Sequence, residues 1–466
     1  MTTETVPTTI DKTALKDKLT RYGMIYSVIS GFQFDLNAAF QKREGGRVQA
    51  SLCDHNCTKQ KGGYDCPAAR TKNRGIQAQS LASADTIVRT VVMGAQGLRL
   101  ARNAMLSNGT FTEHCRRFEI PNIAGEVLRE ALQSDKIEVN LFGGNPELHP
   151  KIMEIIKRLK AEGFIVNLTT TGRRLMRDEK FVADFRADPA NILALSADDF
   201  ELDELKRLLG LSLDQLKEEW KKVNPLHGQG QKAIEAIYGA KLLRDEQPPL
   251  VLFNMVLHPG NIGRAGEIIR LLGEAFPNAI VNPYPNQEGF HGGKDFFSTE
   301  QLEIFRGLVQ SFLKLTVDGA KFVKRLSYWM LLDAAFKTWG DSNPQKVAES
   351  IAGYGIWQCY RGPGSGRYLQ GGRSVGPVTF QTEPGNHLGC FWNPHTVTQN
   401  DRQIETPEQV ASYLSKGMTA LSRATTSPCP GCAMPRLLFD LMNIQAGMDT
   451  ELIPAFIRLR REYVGF

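Results

Sequence analysis

The stretch FGGNPELHPKIMEIIKRLKAEGFIVNLTTTGRRL, residues 142–175, passes from a glycine turn into a helix, then a strand, and leaves through a second turn. Ile152, Ile155, Ile156 and Leu159 fall on one helical face, and Gly163 stands where a helix commonly ends. "FIVNLTTTG" is then β-branched and apolar before turning polar at its end. Upstream, "AGEVLREALQSD" reads as an amphipathic helix leading into the strand "KIEVNLFGG", with a further strand-like run at "RVQASLC". Downstream come the strands "ANILALS", "PPLVLFNMVL" and "NAIVNPYP", separated by helical segments such as "NIGRAGEIIRLLGEAF". Strands therefore alternate with helices from about residue 47 to 287, which predicts a parallel sheet with crossover helices, either doubly wound or a barrel. In both architectures ligands lie at the carboxyl ends of the strands. Here those ends are the loop from Cys53, "GGNPELHP", "TTTG", "SADD" and "NPYPNQ", all expected to converge on one site.

Composition narrows the class. A chain of 466 residues with 42% hydrophobic and 23% charged residues is long enough for two or three packed domains and too apolar for disorder. The net charge of +6 is spread among acids rather than blocked, so it makes no case for nucleic acid or membrane as partner. The first residues lack the basic and apolar regions of a leader, and no apolar run reaches about 18 residues, so a soluble, cytoplasmic protein is expected.

The eight cysteines fall into Cys53, Cys57 and Cys66 near the front, Cys359, Cys390, Cys429 and Cys432 near the end, and Cys115 alone. In a reducing compartment clustered thiols bind metal more often than they form disulfides. Three thiols leave a tetrahedral zinc site or a four-iron cluster one ligand short, as an open, reactive centre needs. A plain zinc loop and free thiols are the alternatives for this segment.

Taken together, residues 47–287 resemble the core of the radical S-adenosylmethionine (radical SAM) superfamily, a partial (β/α)6 TIM-like barrel within the α/β class. The stretch 142–175 is similar to that family's passage from a Gly-Gly-Glu-Pro turn, through a helix, to a strand ending in Thr-Asn-Gly. Gly143, Gly144, Asn145 and Pro146 stand at the turn, and Thr170, Thr171 and Gly172 at the strand end. The resemblance implies a [4Fe–4S] cluster on Cys53, Cys57 and Cys66 whose open iron takes the amino and carboxylate groups of SAM. It also implies that Ser196 faces the SAM ribose, that Asn254 makes a polar contact, and that Val281 and Asn282 pack on adenine. An electron donor such as flavodoxin or ferredoxin is an implied partner.

Two departures stand out. The spacing is C-x3-C-x8-C rather than C-x3-C-x2-C, with Asp65 before the last cysteine and Tyr64 as the aromatic available to adenine. Asn145 replaces the common Glu. Near the end, the Gly-rich segment between Cys359 and Cys390, with Cys429 and Cys432, resembles the SPASM/Twitch-like domain that follows many radical SAM cores. It implies one auxiliary cluster, a second [4Fe–4S], with structural zinc as the alternative. Cys115 reads as an ordinary thiol or a hydrogen-atom donor to a substrate radical. His149 and His258 follow strand ends and either line the site or cap turns.

The expected organisation is an N-terminal extension over 1–46, the barrel over 47–295, a helical connection over 296–350, an auxiliary cluster domain over 351–440 and a helical tail over 441–466. The resemblance implies reductive SAM cleavage to a 5′-deoxyadenosyl radical that takes hydrogen from a small metabolite in a biosynthetic pathway. A peptide-modifying maturase and a non-catalytic zinc scaffold are the alternatives.

Overall fold

In the computed structural model, the alternation of strand and helix becomes a sheet laid down in chain order. The structure describes residues 83–117, 137–142, 145–197, 200–223, 228–246 and 248–285, short segments at 32–35, 41–44, 47–50, 379–381, 387–388 and 406–416, and scattered residues within 129–135 and 298–308. The elements are β1 (Phe32–Asp35), β2 (Gln41–Glu44), β3 (Arg47–Ala50), α1 (Ala84–Leu106), α2 (Thr110–Arg117), β4 (Glu138–Phe142), α3 (Ile152–Ala161) and β5 (Ile165–Thr170). They continue through α4 (Arg173–Arg177), α5 (Glu179–Ala187), β6 (Ile192–Ser196), α6 (Leu202–Gly210), α7 (Leu213–Lys222), α8 (Gly228–Leu242), β7 (Leu250–Leu257) and α9 (Ala265–Ala275). The last are β8 (Ile280–Pro285), β9 (Thr379–Gln381), β10 (His387–Leu388) and α10 (Pro407–Lys416).

Strands β4 to β8 are parallel neighbours in sequence order, with Asn140 opposite Asn167, Asn167 opposite Ile192, Ser196 opposite Asn254 and Asn254 opposite Asn282. A doubly wound sheet reverses its order at a switch point; this run does not, so it fits a partial α/β barrel. β1 extends the sheet beside β4, and β9 with β10 extends it beyond β1.

One departure from expectation lies here. Arg47–Ala50, expected as the first barrel strand, pairs antiparallel with Gln41–Glu44 as a hairpin, while Phe32–Asp35 takes the place next to β4. The reason is local: only Gly45 and Gly46 separate β2 from β3, and two glycines accept the positive φ that a two-residue hairpin turn demands.

The two faces of the sheet differ. Val139, Leu141, Val166, Leu168, Leu193, Leu195, Val251, Phe253, Met255 and Val281 join the helices in one main core. That core draws Ile87 and Leu98 from α1, Ile155 and Leu159 from α3, Phe181 from α5, Leu205 from α6, Ile237 from α8 and Ile268 from α9. Each such side chain contributes about 1.5–3 kcal/mol on burial. Residues of the opposite parity, Ile165, Ile192, Leu250 and Ile280 with Leu252, form a separate small cluster on the other face. The helices thus cover one face and leave the second to a different set of side chains.

Local signals account for the boundaries. Gly163 ends α3 at φ 82°, as its position predicts. Ser212 and Gln215 form a reciprocal capping box at the start of α7. On α1, Gly97 lets α10 approach closely: a Cβ there would stand 2.4 Å from Val410 Cβ and 2.6 Å from the Pro407 carbonyl. Among the described residues no helix is long and apolar enough to cross a membrane.

Candidate functional site

The turns that leave β4 and β5 are stitched together by one side chain. Asn145 is fully buried, and its amide nitrogen donates to Glu147 Oε1 at 3.1 Å and to Thr171 Oγ1 at 3.1 Å. Its Oδ1 accepts from the Thr171 backbone N–H at 3.2 Å and from the Thr170 hydroxyl. All four hydrogen-bonding positions of the amide are therefore in use. A glutamate at this position would have no N–H to offer, so Asn is the residue this packing requires.

Arg174 holds the same turn from the other side. Its Nη1 donates to the carbonyls of Glu147 at 3.0 Å and His149 at 3.3 Å, while Nε donates to Asp178 Oδ2 at 3.0 Å. The Arg174 backbone N–H donates to Glu147 Oε1 at 2.9 Å, leaving Glu147 Oε2 buried without a hydrogen-bond partner. Burial pushes the Glu147 carboxyl up to about 7, and the nearby Glu235 adds to the rise against the lowering bond from Arg174.

Beneath Thr171, Gly172 adopts φ +89°, and a Cβ there would lie 2.8 Å from the Glu235 carbonyl. Arg173 Nε donates to Glu235 Oε1 at 2.8 Å and Nη2 to Gln231 Oε1 at 2.6 Å, and Trp220 Nε1 donates to the same Glu235 oxygen at 2.9 Å. The turn after β5 is thereby tied to α8.

The other expected site residues fall in three places. Pro146 and Thr171 are buried in the stitched turn. Ser196 is the last residue of β6, half-buried and in register with Asn254. Asn254 Oδ1 accepts from Asn282 Nδ2 at 2.7 Å, so these two expected contacts are one pair. Val281 belongs to the helix-side core, and because strand side chains alternate, it faces away from Asn282; the two do not share a ligand surface. His149 and His258 cap turns: the Nδ1 of each accepts a backbone N–H, from Lys151 and from Gly260, both at 3.1 Å. Cys115 lies in α2. Cys53, Cys57, Tyr64, Cys66, Gly143, Gly144, Cys359, Cys390, Cys429 and Cys432 lie outside the described residues.

Several polar residues on the strands had not been singled out. On the face away from the helices, Asn167 Nδ2 donates to Glu138 Oε1 at 3.2 Å and Thr169 Oγ1 to Asn140 Oδ1 at 2.9 Å. The available signal was period-two polarity inside otherwise apolar strands, with Ile-Val-Asn at both 165–167 and 280–282. A cavity of about 170 Å³ lined by Arg244, Glu246, Pro249 and Phe276 lies at the opposite, amino ends of β7 and β8. Conserved chemistry in such folds sits at the carboxyl ends, so this cavity is not the candidate site. No protein-family model matches this chain, and no curated protein does.

Proposed function

We propose that the chain is a radical SAM enzyme with a partial (β/α)6 barrel, acting on a small metabolite. The observation that supports this best is the unreversed parallel sheet with the turns after β4 and β5 locked together at the carboxyl ends of its strands. In that position a turn presents backbone groups at a fixed distance from the next strands, which orienting a bound cofactor requires.

The described residues fit SAM in part. Ser196 and Asn254 are half-buried neighbours in register and supply oxygen acceptors suited to ribose hydroxyls or an amine. Asn145 fits only through its backbone, since its side chain is spent on the turn. Cys53, Cys57 and Cys66 would hold a [4Fe–4S] cluster, and Cys359, Cys390, Cys429 and Cys432 a second. The reduced cluster with SAM supplies hydrogen-atom abstraction. The chain's own part is to orient, through Ser196 and Asn254, and to exclude water with the apolar cluster below them.

Anaerobic purification tests this. Brown protein with about eight irons per chain, four for each cluster, is expected. Replacing Cys53, Cys57 and Cys66 together with Ala should abolish dithionite-dependent SAM cleavage and leave the C-terminal iron. Colourless protein holding only zinc overturns the proposal.

A further inference from the structure

Along four adjacent strands the side chains on the face away from the helices rise in steps. Ile165, Ile192, Leu250 with Leu252, and Ile280 form an apolar floor. The next residue on that face of each strand is Asn167, Ala194, Asn254 and Asn282. Three amides and one small methyl group therefore form a second layer directly above the floor.

Two of those amides are incompletely bonded. Asn167 spends its nitrogen on Glu138 and Asn282 spends its nitrogen on Asn254, and both are left with a buried carbonyl oxygen that has no partner. Such oxygens are costly to bury, and a sheet face with no use for them would carry apolar residues as the layer below does. Their position on two strands that both read Ile-Val-Asn makes the arrangement a repeated one rather than a single packing defect. Ala194, between them in strand order, adds only a methyl group to this face. The only charge among the described strand residues of this parity, from Glu138 to Asn282, is the Glu138 carboxylate.

We propose that this layer is the recognition surface for a small neutral or cationic molecule that brings N–H or O–H donors to Asn167 Oδ1 and Asn282 Oδ1. An amine, polyol or nucleoside satisfies that chemistry. A phosphate or polycarboxylate does not, because it offers acceptors to acceptors beside a carboxylate. The inference rests on the sheet face alone and needs neither iron nor SAM.

The test is equilibrium dialysis of the full chain, purified anaerobically, against glucosamine, spermidine and adenosine, with glucose 6-phosphate, citrate and AMP as the anionic series and SAM as a separate probe. At least one donor-bearing probe should bind, more tightly than every anion, and Asn167→Leu and Asn282→Leu should each weaken it tenfold or more. Both variants should still unfold in one cooperative transition, although Asn167→Leu takes a donor from Glu138 and Asn282→Leu takes one from Asn254; a cooperative melt distinguishes a lost contact from a lost fold. The Cys53→Ala, Cys57→Ala, Cys66→Ala triple variant should bind the same probe undiminished, which keeps this inference separate from the radical SAM proposal. No binding by the donor-bearing probes, preference for the anions, binding unaltered by the Leu variants, or binding of SAM alone would each overturn it.

Discussion

Asn145 and Thr171 are held to each other in both directions: the Asn145 amide donates to Thr171 Oγ1 at 3.1 Å, and the Thr171 backbone N–H donates back to Asn145 Oδ1 at 3.2 Å. This pair closes the gap between two strand ends that are adjacent in space and 26 residues apart in sequence. Replacing Asn145 by Ala strands Thr171 and Glu147 without their partner and should cost about 2–4 kcal/mol in urea unfolding. Asn145→Glu should be no better, because it loses both N–H donors and buries a second carboxylate beside Glu147. A Glu variant as stable as the parent would show that the turn tolerates another arrangement.

Glu147 predicts a pH dependence. Its folded value is raised to about 7 by burial above the ordinary 4.5, so the folded chain keeps a proton that the unfolded chain has released. Stability from this group is therefore complete below about 4.5 and falls as pH climbs to about 7, with the cost persisting above it. Glu147→Gln removes the titration while its carbonyl still accepts from Arg174 N–H and Asn145. The variant should gain on the order of 2–3 kcal/mol relative to the parent at pH 8 and little at pH 4.5. Parallel stability curves for the two proteins across that range would contradict this.

The Arg173–Glu235 pair is buried on both sides, with side chains 6% and 0% exposed. Arg173→Met removes the guanidinium from a carboxylate that cannot reach water and should destabilise by about 3–5 kcal/mol. Adding Glu235→Gln should recover part of that loss, because the amide is neutral and still accepts from Trp220. Strict additivity of the two substitutions in denaturant titrations would argue against coupling.

Gly97 predicts an effect of packing between distant segments. Its missing Cβ is what allows α10 to lie against α1, and both the nearest obstacles, Val410 Cβ and the Pro407 carbonyl, are parts that a rotamer change cannot move. Gly97→Ala should lower stability by about 1–3 kcal/mol despite the better helix propensity of alanine. Limited proteolysis should at the same time cut more readily around residues 406–416. A more stable Ala variant would mean that α10 does not rest on α1 in solution.

Much of the fold was legible because it is written in local periodicity. The strands at 138–142, 165–170, 192–196, 250–257 and 280–285 and the helices at 152–161 and 265–275 lie where apolar spacing predicts them. Gly163 ends its helix for a reason contained in one residue. Which strand neighbours which was less legible: Arg47–Ala50 carries the same alternation as a barrel strand, and its pairing with Gln41–Glu44 follows from the two glycines between them.

Side-chain partnership was a matter for the tertiary structure alone. The sequence by itself determined the α/β alternation, the strand ends at which polar residues gather and the presence of Asn at position 145 between a Gly-Gly turn and a helix. Only the folded chain decided that this Asn uses all four of its hydrogen-bonding positions on residues up to 26 places away, that Val281 and Asn282 face opposite ways, and that Asn167 and Asn282 each retain an unpartnered oxygen. Periodicity is a property of neighbours along the chain, whereas hydrogen-bond satisfaction depends on which groups the crossovers bring within about 3 Å, and no local pattern encodes that.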